Sequence, residues 1–330
     1  MNLIIYGNIA PPIHIAYCFD NSYAPYAMVA IKSIGENHHS GEVYIHVLVD
    51  VISNRNLKRL TELVDEYRNM HLHIYKVDIR CLSVLKVVKD RWPISTWFRI
   101  LLPSILPDTI DKVLYLDADT LVVSDLQELF AIDMTDYSIA AVLDPMSFKE
   151  DTFERCEFDK HKQYICDGVL LMNLDYWRKH NLKDRIIEWS LLHTEQLKFP
   201  DQDAINYICH DSKIVLPFRF GILNYFGYER FYKSPYIEQL KECIEKPIII
   251  HYADHYPWLK DGLQHPFCDM WMVYNKMLKS PIRRRYKTKG KLLIKLIIWD
   301  VLHPFKSRPK LTLSDIRYRI SNKFAIRENV

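Results

Sequence analysis

The stretch Lys112-Val113-Leu114-Tyr115-Leu116-Asp117-Ala118-Asp119-Thr120-Leu121 governs how the rest of the chain is interpreted. It starts as an apolar run of strand length and ends in two carboxylates one residue apart. Because side chains alternate along an extended chain, Asp117 and Asp119 are expected to project to the same side. Two like charges at the end of a buried strand need a positive partner, and a divalent cation such as Mg²⁺ or Mn²⁺ suits carboxylates. Ligands of open α/β sheets bind at this end of the strands.

Two other interpretations of this aspartate pair are open. A bare Asp-x-Asp is common as a polar turn or helix cap after a strand. The segment also resembles the first motif of the haloacid dehalogenase-like phosphatases, in which the first Asp is a nucleophile and the second a general acid and base. Position argues against the phosphatase, because that motif usually lies near the start of its domain and more than a hundred residues of α/β pattern come first here.

Strands and helices alternate around the central stretch. Apolar runs predict strands at residues 13–19, 43–49, 72–77, 139–143, 169–174 and 248–252. Helical patterns predict helices at residues 26–34, 53–67, 97–106, 176–197 and from 200 onwards, whereas the polar residues 148–163 suit an irregular, mobile flap. This order predicts an α/β fold with a mostly parallel central sheet flanked by helices.

Composition disfavours several classes of protein. With 330 residues and an apolar fraction of 49%, the chain can build one large α/β domain and an appendage. Only eight glycines and no Gly-x-Gly-x-x-Gly or Walker-type loop disfavour dinucleotide-binding and P-loop ATPase folds. Seven scattered cysteines without a Cys-x-x-Cys pair indicate reduced thiols in the cytoplasm, not a disulfide framework or a zinc site. We expect neither a signal peptide nor a membrane-spanning helix.

A change in charge divides the chain near residue 280. Residues 281–330 carry fourteen Lys or Arg against three acids, whereas residues 1–280 carry 30 against 38. The tail contains an apolar stretch of about 11 residues, roughly 16 Å as a helix, which is too short to cross a bilayer of about 30 Å. We expect a basic amphipathic helical tail that binds an anionic membrane surface. A helix packed on the body is the alternative, and the acidic body argues against nucleic acid.

Polar side chains also flank several other predicted elements. Asp20, Asp144 and His251 end strands, and Asp201 and Gln202 begin a helix. Each has an ordinary structural explanation, such as a turn or a satisfied buried histidine. Together they are expected to converge on the crevice above the sheet, where a metal and a nucleotide would bind. His251 as a third ligand would fit Mn²⁺, which accepts imidazole more readily than Mg²⁺ does.

Over about residues 13–275 the sequence resembles the retaining glycosyltransferases of family 8, especially the bacterial lipopolysaccharide galactosyl- and glucosyltransferases. The resemblance rests on six motifs in the same order, at residues 15–23, 96–100, 113–119, 167–174, 201–206, and 251–252 with 257–258. Six ordered motifs are far more specific than any single one, and they argue against the phosphatase. The resemblance implies a nucleotide-diphospho-sugar transferase (GT-A type) fold in a single α/β domain.

The resemblance also implies a role for each candidate residue. A Mn²⁺ ion, or Mg²⁺ in its place, would bridge the phosphates of a UDP-sugar, stabilise charge on the departing UDP and be held by Asp117, Asp119 and His251. The uridine would meet Asp20, Ser22, Tyr23 and the backbone of Ala118. The donor sugar would be surrounded by Arg99, Asp144, Asp167, Gly168 and Asp201, with Gln202 on its reacting face.

Retention of configuration needs either a covalent intermediate or same-face attack through an oxocarbenium-like ion pair. An amide such as Gln202 is a poor nucleophile, so same-face attack is favoured, with the leaving phosphate taking the proton of the acceptor. Gln202, Asp201 and Asp144 form the expected catalytic set, which orients the sugar and stabilises developing positive charge.

Two positions depart from the family pattern. Tyr256 stands where relatives often carry a lysine on a phosphate, so that contact would come from His255, from Lys260 or from no residue. Cys166-Asp167 replaces an Asn-Ala seen in some relatives. The first departure keeps open a non-catalytic relative that binds sugar nucleotides or glycans.

Together with the tail, the resemblance implies a bacterial enzyme that moves galactose or glucose from a UDP-hexose to a hydroxyl of a glycolipid or oligosaccharide acceptor, such as the lipopolysaccharide core. We expect it in the cytoplasm, peripheral on the cytoplasmic face of the inner membrane. Residues 1–280 would be the catalytic domain and residues 281–330 the membrane-binding tail, with no nucleic-acid partner.

Overall fold

The computed structural model describes residues 10–85, 93–156, 159, 162–253, 255–259 and 265–283. Its strands are β1 Ile13–Cys18, β2 Val43–Val49, β3 Met70–Lys76, β4 Lys112–Leu116, β5 Thr120–Val122, β6 Ile139–Val142, β7 Val169–Asn173, β8 Lys213–Leu216 and β9 Ile249–His251. Seven of them form one sheet in the order β3-β2-β1-β4-β7-β6-β8. Within it only β7 runs antiparallel to its neighbours, so the predicted mostly parallel sheet is confirmed.

Helices cover both faces of the sheet, as the alternating pattern predicts. The α-helices are α1 Ala24–Asn37, α2 Asn54–Val64, α3 Leu102–Ile105, α4 Gln127–Phe130, α5 Glu150–Cys156, α6 Leu174–Lys179, α7 Leu182–Leu192, α8 Pro200–Ile208, α9 Ile237–Glu245 and α10 Cys268–Met277. Short 3₁₀ segments are Ile79–Leu82, Ile94–Leu101, Pro145–Phe148, Phe218–Phe220, Tyr225–Gly227 and Glu229–Tyr232. One apolar core includes side chains of α1, α2, α9 and α10, and a second includes side chains of α3, α6, α7 and α8.

Strand β4 lies between these two cores. Leu114 and Leu116 belong to the first core, and Val113 and Tyr115 to the second. All four side chains are fully buried. A strand buried on both faces reads as a continuous apolar run, which is the pattern that opens the central stretch.

Two short strands outside this sheet hold the turn that follows β4. Strands β5 and β9 pair antiparallel, with Thr120 opposite His251. The amide of Tyr252 donates to the carbonyl of Asp119 at 3.1 Å and extends the pairing by one residue. Because β9 comes from a distant part of the chain, this pairing is what brings His251 beside the aspartate pair.

Two segments that were predicted as continuous helices are interrupted. The helix predicted at residues 176–197 is two helices, α6 and α7, separated by Asn181 in the left-handed conformation at φ 49°, and residues 193–197 are not helical. Asn adopts this conformation more readily than most residues because its side chain can bond locally. Residues 97–106 are 3₁₀ up to Leu101 and α-helical only in α3. Pro103 has no N–H, so a continuous α-helix through this point would lack one backbone bond.

The prediction of an irregular flap at residues 148–163 is wrong for α5, which buries Thr152 and Phe153. The tail from residue 284 onwards and Lys260 lie outside the described residues, so the predictions made for them stay predictions. Within the described residues, no helix combines the length and apolarity needed to cross a bilayer.

Candidate active site

A cavity of about 570 Å³ opens at the carboxyl ends of β1 and β4. Twelve of the thirteen predicted site residues line it, namely Asp20, Ser22, Tyr23, Arg99, Asp117, Ala118, Asp119, Asp144, Asp167, Asp201, Gln202 and His251. The thirteenth, Gly168, lies directly against Asp117 and His251. The fold therefore brings the whole predicted set to one place, at the end of the strands where α/β proteins bind ligands.

Asp117, Asp119 and His251 form a compact cluster with the donor atoms of a metal site. One ligand atom from each lies within 4.8 Å of the others, and no second cluster of this kind occurs among the described residues. His251 Nε2 is 3.3 Å from Asp119 Oδ1 and 3.6 Å from Asp117 Oδ2. Two carboxylate oxygens and one imidazole nitrogen suit Mn²⁺, and Mg²⁺ less well. The residues present fit a divalent cation.

Gly168 is what allows this cluster to be so compact. A Cβ atom at this position would lie 2.2 Å from His251 Cε1 and 2.6 Å from Asp117 Oδ2, closer than real contacts allow. The carbonyl of Gly168 also accepts the amide of Asp117 at 2.9 Å. A residue without a side chain is thus required by close approach here.

The second ring nitrogen of His251 contacts a thiol. His251 Nδ1 lies 3.6 Å from Cys166 Sγ, within the range of a hydrogen bond to sulfur. Burial lowers the pKa of His251, but Asp119 and Cys166 outweigh it and hold that pKa well above its usual value. Burial raises the pKa of Cys166 to about 11, so the thiol is protonated at neutral pH.

Arg99 is buried and shared by three carboxylates. Its guanidinium lies 3.0 Å from Asp117 Oδ1, 2.8 Å from Asp167 Oδ2 and 3.2 Å from Asp201 Oδ2. The ring of Tyr115 packs on the guanidinium at 4.4 Å, and its hydroxyl donates to Asp117 at 2.5 Å. One cation does not balance three carboxylates. Burial, reinforced by Asp201 and Asp117, raises the pKa of Asp167 well above its usual value despite the opposing effect of Arg99.

The first turn of α8 carries Asp201 and Gln202 into the cavity. Pro200 begins this helix, where its missing N–H costs no helical bond. Gln202 Oε1 accepts the amide of Asp167 at 3.2 Å, and Gln202 Nε2 donates to Asp144 Oδ2 at 3.2 Å. These two bonds assign the orientation of the amide and hold it against two carboxylate-bearing segments.

Two residues of α8 support the site although the sequence analysis gave them no role. Asn206 binds both backbone groups of Ile165, through Oδ1 and Nδ2, at 2.8 Å each. Asp203 accepts the hydroxyl of Tyr164 at 2.5 Å and two backbone amides that precede α8. They fix the segment that leads into Asp167. Their spacing of three residues, which puts both on one side of a helix, is the signal that could have revealed them.

Asp20 organises the loop that follows β1. Its Oδ1 accepts the amide and hydroxyl of Ser22 at 2.7 and 2.6 Å and the amide of Tyr23 at 3.1 Å. The ring of Tyr23 meets the ring of Tyr26 edge-on at 5.5 Å, and Tyr26 stacks on Trp258 at 3.9 Å. The loop therefore supports an aromatic wall, which suits a planar ligand.

The departure at Tyr256 changes the same side of the cavity, which Tyr256 helps to line. Tyr256 stacks on Trp258 at 5.1 Å and so extends the aromatic wall. His255, beside it, also lines the cavity. Its buried Nδ1 has no hydrogen-bond partner among the described residues. Of the alternatives considered for the phosphate contact, His255 therefore faces the cavity, whereas Lys260 lies outside the described residues.

Comparison with known sequences identifies a matching family and several relatives. The sequence profile described as "Glycosyl transferase family 8" matches residues 14–262. A lipopolysaccharide 1,2-glucosyltransferase of Escherichia coli is 30% identical over 208 residues, which are 61% of this chain and only 60% of that protein. General stress protein A of Bacillus subtilis (strain 168) is 25% identical over 280 residues, 81% of this chain and 94% of that protein.

Solved structures show the same fold. The galactosyltransferase LgtC, crystallised with donor and acceptor sugar analogues, superimposes with a TM-score of 0.72 at 24% identity. The match covers 82% of this chain and 98% of that one. At this level of identity the likeness shows a common architecture.

Proposed function

The chain belongs to glycosyl transferase family 8 and is a glycosyltransferase, and we propose that it moves galactose or glucose from a UDP-sugar to a hydroxyl of a glycolipid or oligosaccharide acceptor. Relatives named as lipopolysaccharide glucosyl- and galactosyltransferases support lipopolysaccharide as the acceptor. The observation that carries the proposal is the convergence of Asp117, Asp119 and His251 in a cavity that also holds Arg99 and Gln202.

We assign a divalent cation, Mn²⁺ by its donor set, to Asp117, Asp119 and His251. Bound there, it would supply Lewis-acid stabilisation of the charge on the departing diphosphate. Asp119 comes from the turn after β4 and His251 from β9, so the pairing of β5 with β9 holds the two ligands at a fixed separation. The surplus of buried carboxylates around Arg99 supports a cation at this position.

The donor is proposed to lie along the cavity from the loop after β1 to α8. The uridine would be bound by Asp20, Ser22, Tyr23 and the backbone of Ala118. Tyr23 and Tyr256 line the cavity at this end, backed by the stacked rings of Tyr26 and Trp258, and support it as the base site. The hexose would be surrounded by Arg99, Asp144, Asp167, Gly168 and Asp201.

The proposed chemistry is substitution on one face of the sugar. The bond from the anomeric carbon to the phosphate oxygen breaks, the acceptor oxygen bonds to the same face, and its proton passes to the leaving phosphate. Gln202 is a poor nucleophile held by bonds to Asp167 and Asp144, which supports an orienting role. Carboxylates of Asp144 and Asp201 would stabilise the positive charge that develops on the ring.

Residues 1–280 are proposed as the catalytic domain and residues 281–330 as a tail on the anionic cytoplasmic face of the inner membrane. Fourteen basic residues against three acids in the tail support this assignment. From residue 284 onwards the tail lies outside the described residues, so the assignment rests on the charge and the apolar stretch of its sequence.

Calorimetric titration with UDP, in the presence and absence of Mn²⁺, tests the site. We expect metal-dependent UDP binding that Asp119→Ala abolishes. The control Asp136→Ala removes an exposed carboxylate outside the cavity and should leave binding unchanged. Hydrolysis of UDP-galactose against UDP-glucose would then identify the donor. If UDP affinity changes neither with Mn²⁺ nor in Asp119→Ala, the metal assignment is wrong. That result would favour the non-catalytic sugar-nucleotide-binding alternative.

A further inference from the structure

His251 can bind a metal through Nε2 in only one tautomer. The coordinating nitrogen must offer its lone pair, so the ring proton must then be carried by Nδ1. Nε2 faces two carboxylates, at 3.3 and 3.6 Å. Nδ1 faces Cys166 Sγ at 3.6 Å. The thiol is thus the group available to receive the Nδ1 proton in a hydrogen bond.

We propose that Cys166 is a positioning residue whose sulfur accepts a hydrogen bond from Nδ1–H of His251 and keeps Nε2 directed at the metal. This inference rests on the proposed function, because it assumes a metal at Asp117, Asp119 and His251. The partner of the second ring nitrogen sets the tautomer and orientation of a metal-binding histidine. Loss of such a partner weakens metal affinity by roughly 10- to 100-fold.

The segment that carries Cys166 is held rigidly enough to act in this way. The amide of Cys166 donates to a carbonyl of β6 at 3.0 Å, and the carbonyl of Gly168 accepts the amide of Asp117 at 2.9 Å. Gly168 also stands against the Cε1 edge of the His251 ring. Residues 166 and 168 therefore contact neighbouring atoms of the same imidazole, one through hydrogen bonding and the other through close approach.

The residue between them links this support to the rest of the site. Asp167 forms an ion pair with Arg99 at 2.8 Å, and its amide donates to Gln202 Oε1 at 3.2 Å. Cys166 as a whole residue is only 4% exposed, so water does not compete freely for Nδ1 of His251. A buried acceptor at this point is needed, since an unpaired buried N–H costs about 1–3 kcal/mol.

Two substitutions at Cys166 separate hydrogen bonding from the filling of space. Cys166→Val removes the acceptor and fills the site with one methyl group more than the thiol, whereas Cys166→Ser keeps an acceptor in a smaller side chain. We expect Mn²⁺ affinity of the full chain, measured from the EPR signal of free Mn²⁺, to fall at least about tenfold in the valine variant. The serine variant should stay within about threefold of wild type. If the thiol only fills space, the serine variant, which leaves a void, should lose at least as much Mn²⁺ affinity as the valine variant.

A spectroscopic measurement tests the tautomer directly. In the Co²⁺-loaded protein, Nδ1–H of His251 should give a hyperfine-shifted proton signal that exchanges slowly with solvent. The signal should persist in Cys166→Ser and be lost or exchange faster in Cys166→Val. If the wild type lacks this proton signal, the inference is wrong. This outcome needs no variant, so the test holds even if Cys166→Val does not fold.

The control Cys243→Val replaces a buried thiol that does not line the cavity and should leave Mn²⁺ affinity unchanged. Failure of the wild type to bind Mn²⁺ at all would refute the proposed function itself. Equal Mn²⁺ affinities in wild type and both Cys166 variants, measured on folded protein, would refute only the role of Cys166.

Discussion

Gly168→Ala is expected to damage the metal site, because the new Cβ would overlap two of the three ligands, His251 and Asp117. The new Cβ would lie 2.2 Å from His251 Cε1 and 2.8 Å from its Nε2, where an ordinary contact needs about 3.4 Å. The ring must therefore move by about 1.2 Å. The backbone of His251 has little freedom to follow, because it is paired with Thr120 and its amide donates to Ile222 at 3.0 Å.

The tolerance of a metal site sets the size of the effect. Protein–metal distances vary by only about 0.2 Å, so a displacement of this size removes His251 from useful coordination. We expect Mn²⁺ affinity to fall by about 100-fold, with a loss of stability of about 1–3 kcal/mol from overpacking. Free Mn²⁺ measured by EPR during titration gives the affinity, and thermal unfolding followed by circular dichroism gives the stability.

Gly35→Ala provides the matched control. Its Cβ would lie 2.4 Å from the ring of Tyr67, a similar overlap, but in α1 and away from the cavity. It should leave Mn²⁺ affinity unchanged and cost less stability, because the overlapped atoms are the end of the Tyr67 side chain and alanine suits a helix better than glycine. If Gly168→Ala is folded and binds Mn²⁺ within about threefold of wild type, the assignment of Asp117 and His251 to one metal is wrong.

Two further predictions concern stability. Arg99→Met should destabilise the fold by about 3–5 kcal/mol, because Asp117, Asp167 and Asp201 lose their shared buried cation. In thermal scans this loss of stability should be smaller at pH 5 than at pH 8. At pH 5 the three unpaired carboxyl groups of the folded variant take up protons and no longer carry buried charge. A loss below about 1 kcal/mol would show that the ion pairs contribute little. Separately, burial and the imidazoles beside it lower the pKa of His46 to about 3. The unfolded chain, with a pKa of about 6.5, binds the proton first, so His46 should cost about 2 kcal/mol of stability between pH 8 and pH 5. His46→Gln should reduce this slope in urea unfolding, and an unchanged slope would contradict the shift.

Much of the fold could be predicted because its signals are local. The apolar run of β4 and the strands around it are buried on both faces, so their sequences carry the pattern without help from distant residues. The alternation of strands and helices predicts the doubly covered, mostly parallel sheet that is observed. The ordered motifs predicted the family, which the match over residues 14–262 confirms.

What the local pattern could not supply was the continuity of some elements. The left-handed Asn181 separates α6 from α7, and Pro103 lies in the first turn of α3, just after the 3₁₀ segment; both are single-residue effects within a strongly helical pattern. Strand β8 and helix α9 were likewise missed. The single-sequence signal of β8 is short, and it becomes a strand by pairing with β6.

The sequence alone determined which chemistry-bearing residues were candidates and at which ends of which elements they lie. Tertiary structure decided which of them touch. His251 meets Asp119 only because β5 pairs with β9, and the register of a strand pair depends on residues far apart in the chain. The contact of Cys166 with His251 and the sharing of Arg99 by three carboxylates arise in the same way. Each is a property of side chains packed in three dimensions, where distance and burial set the interaction, and no short stretch of sequence contains both partners.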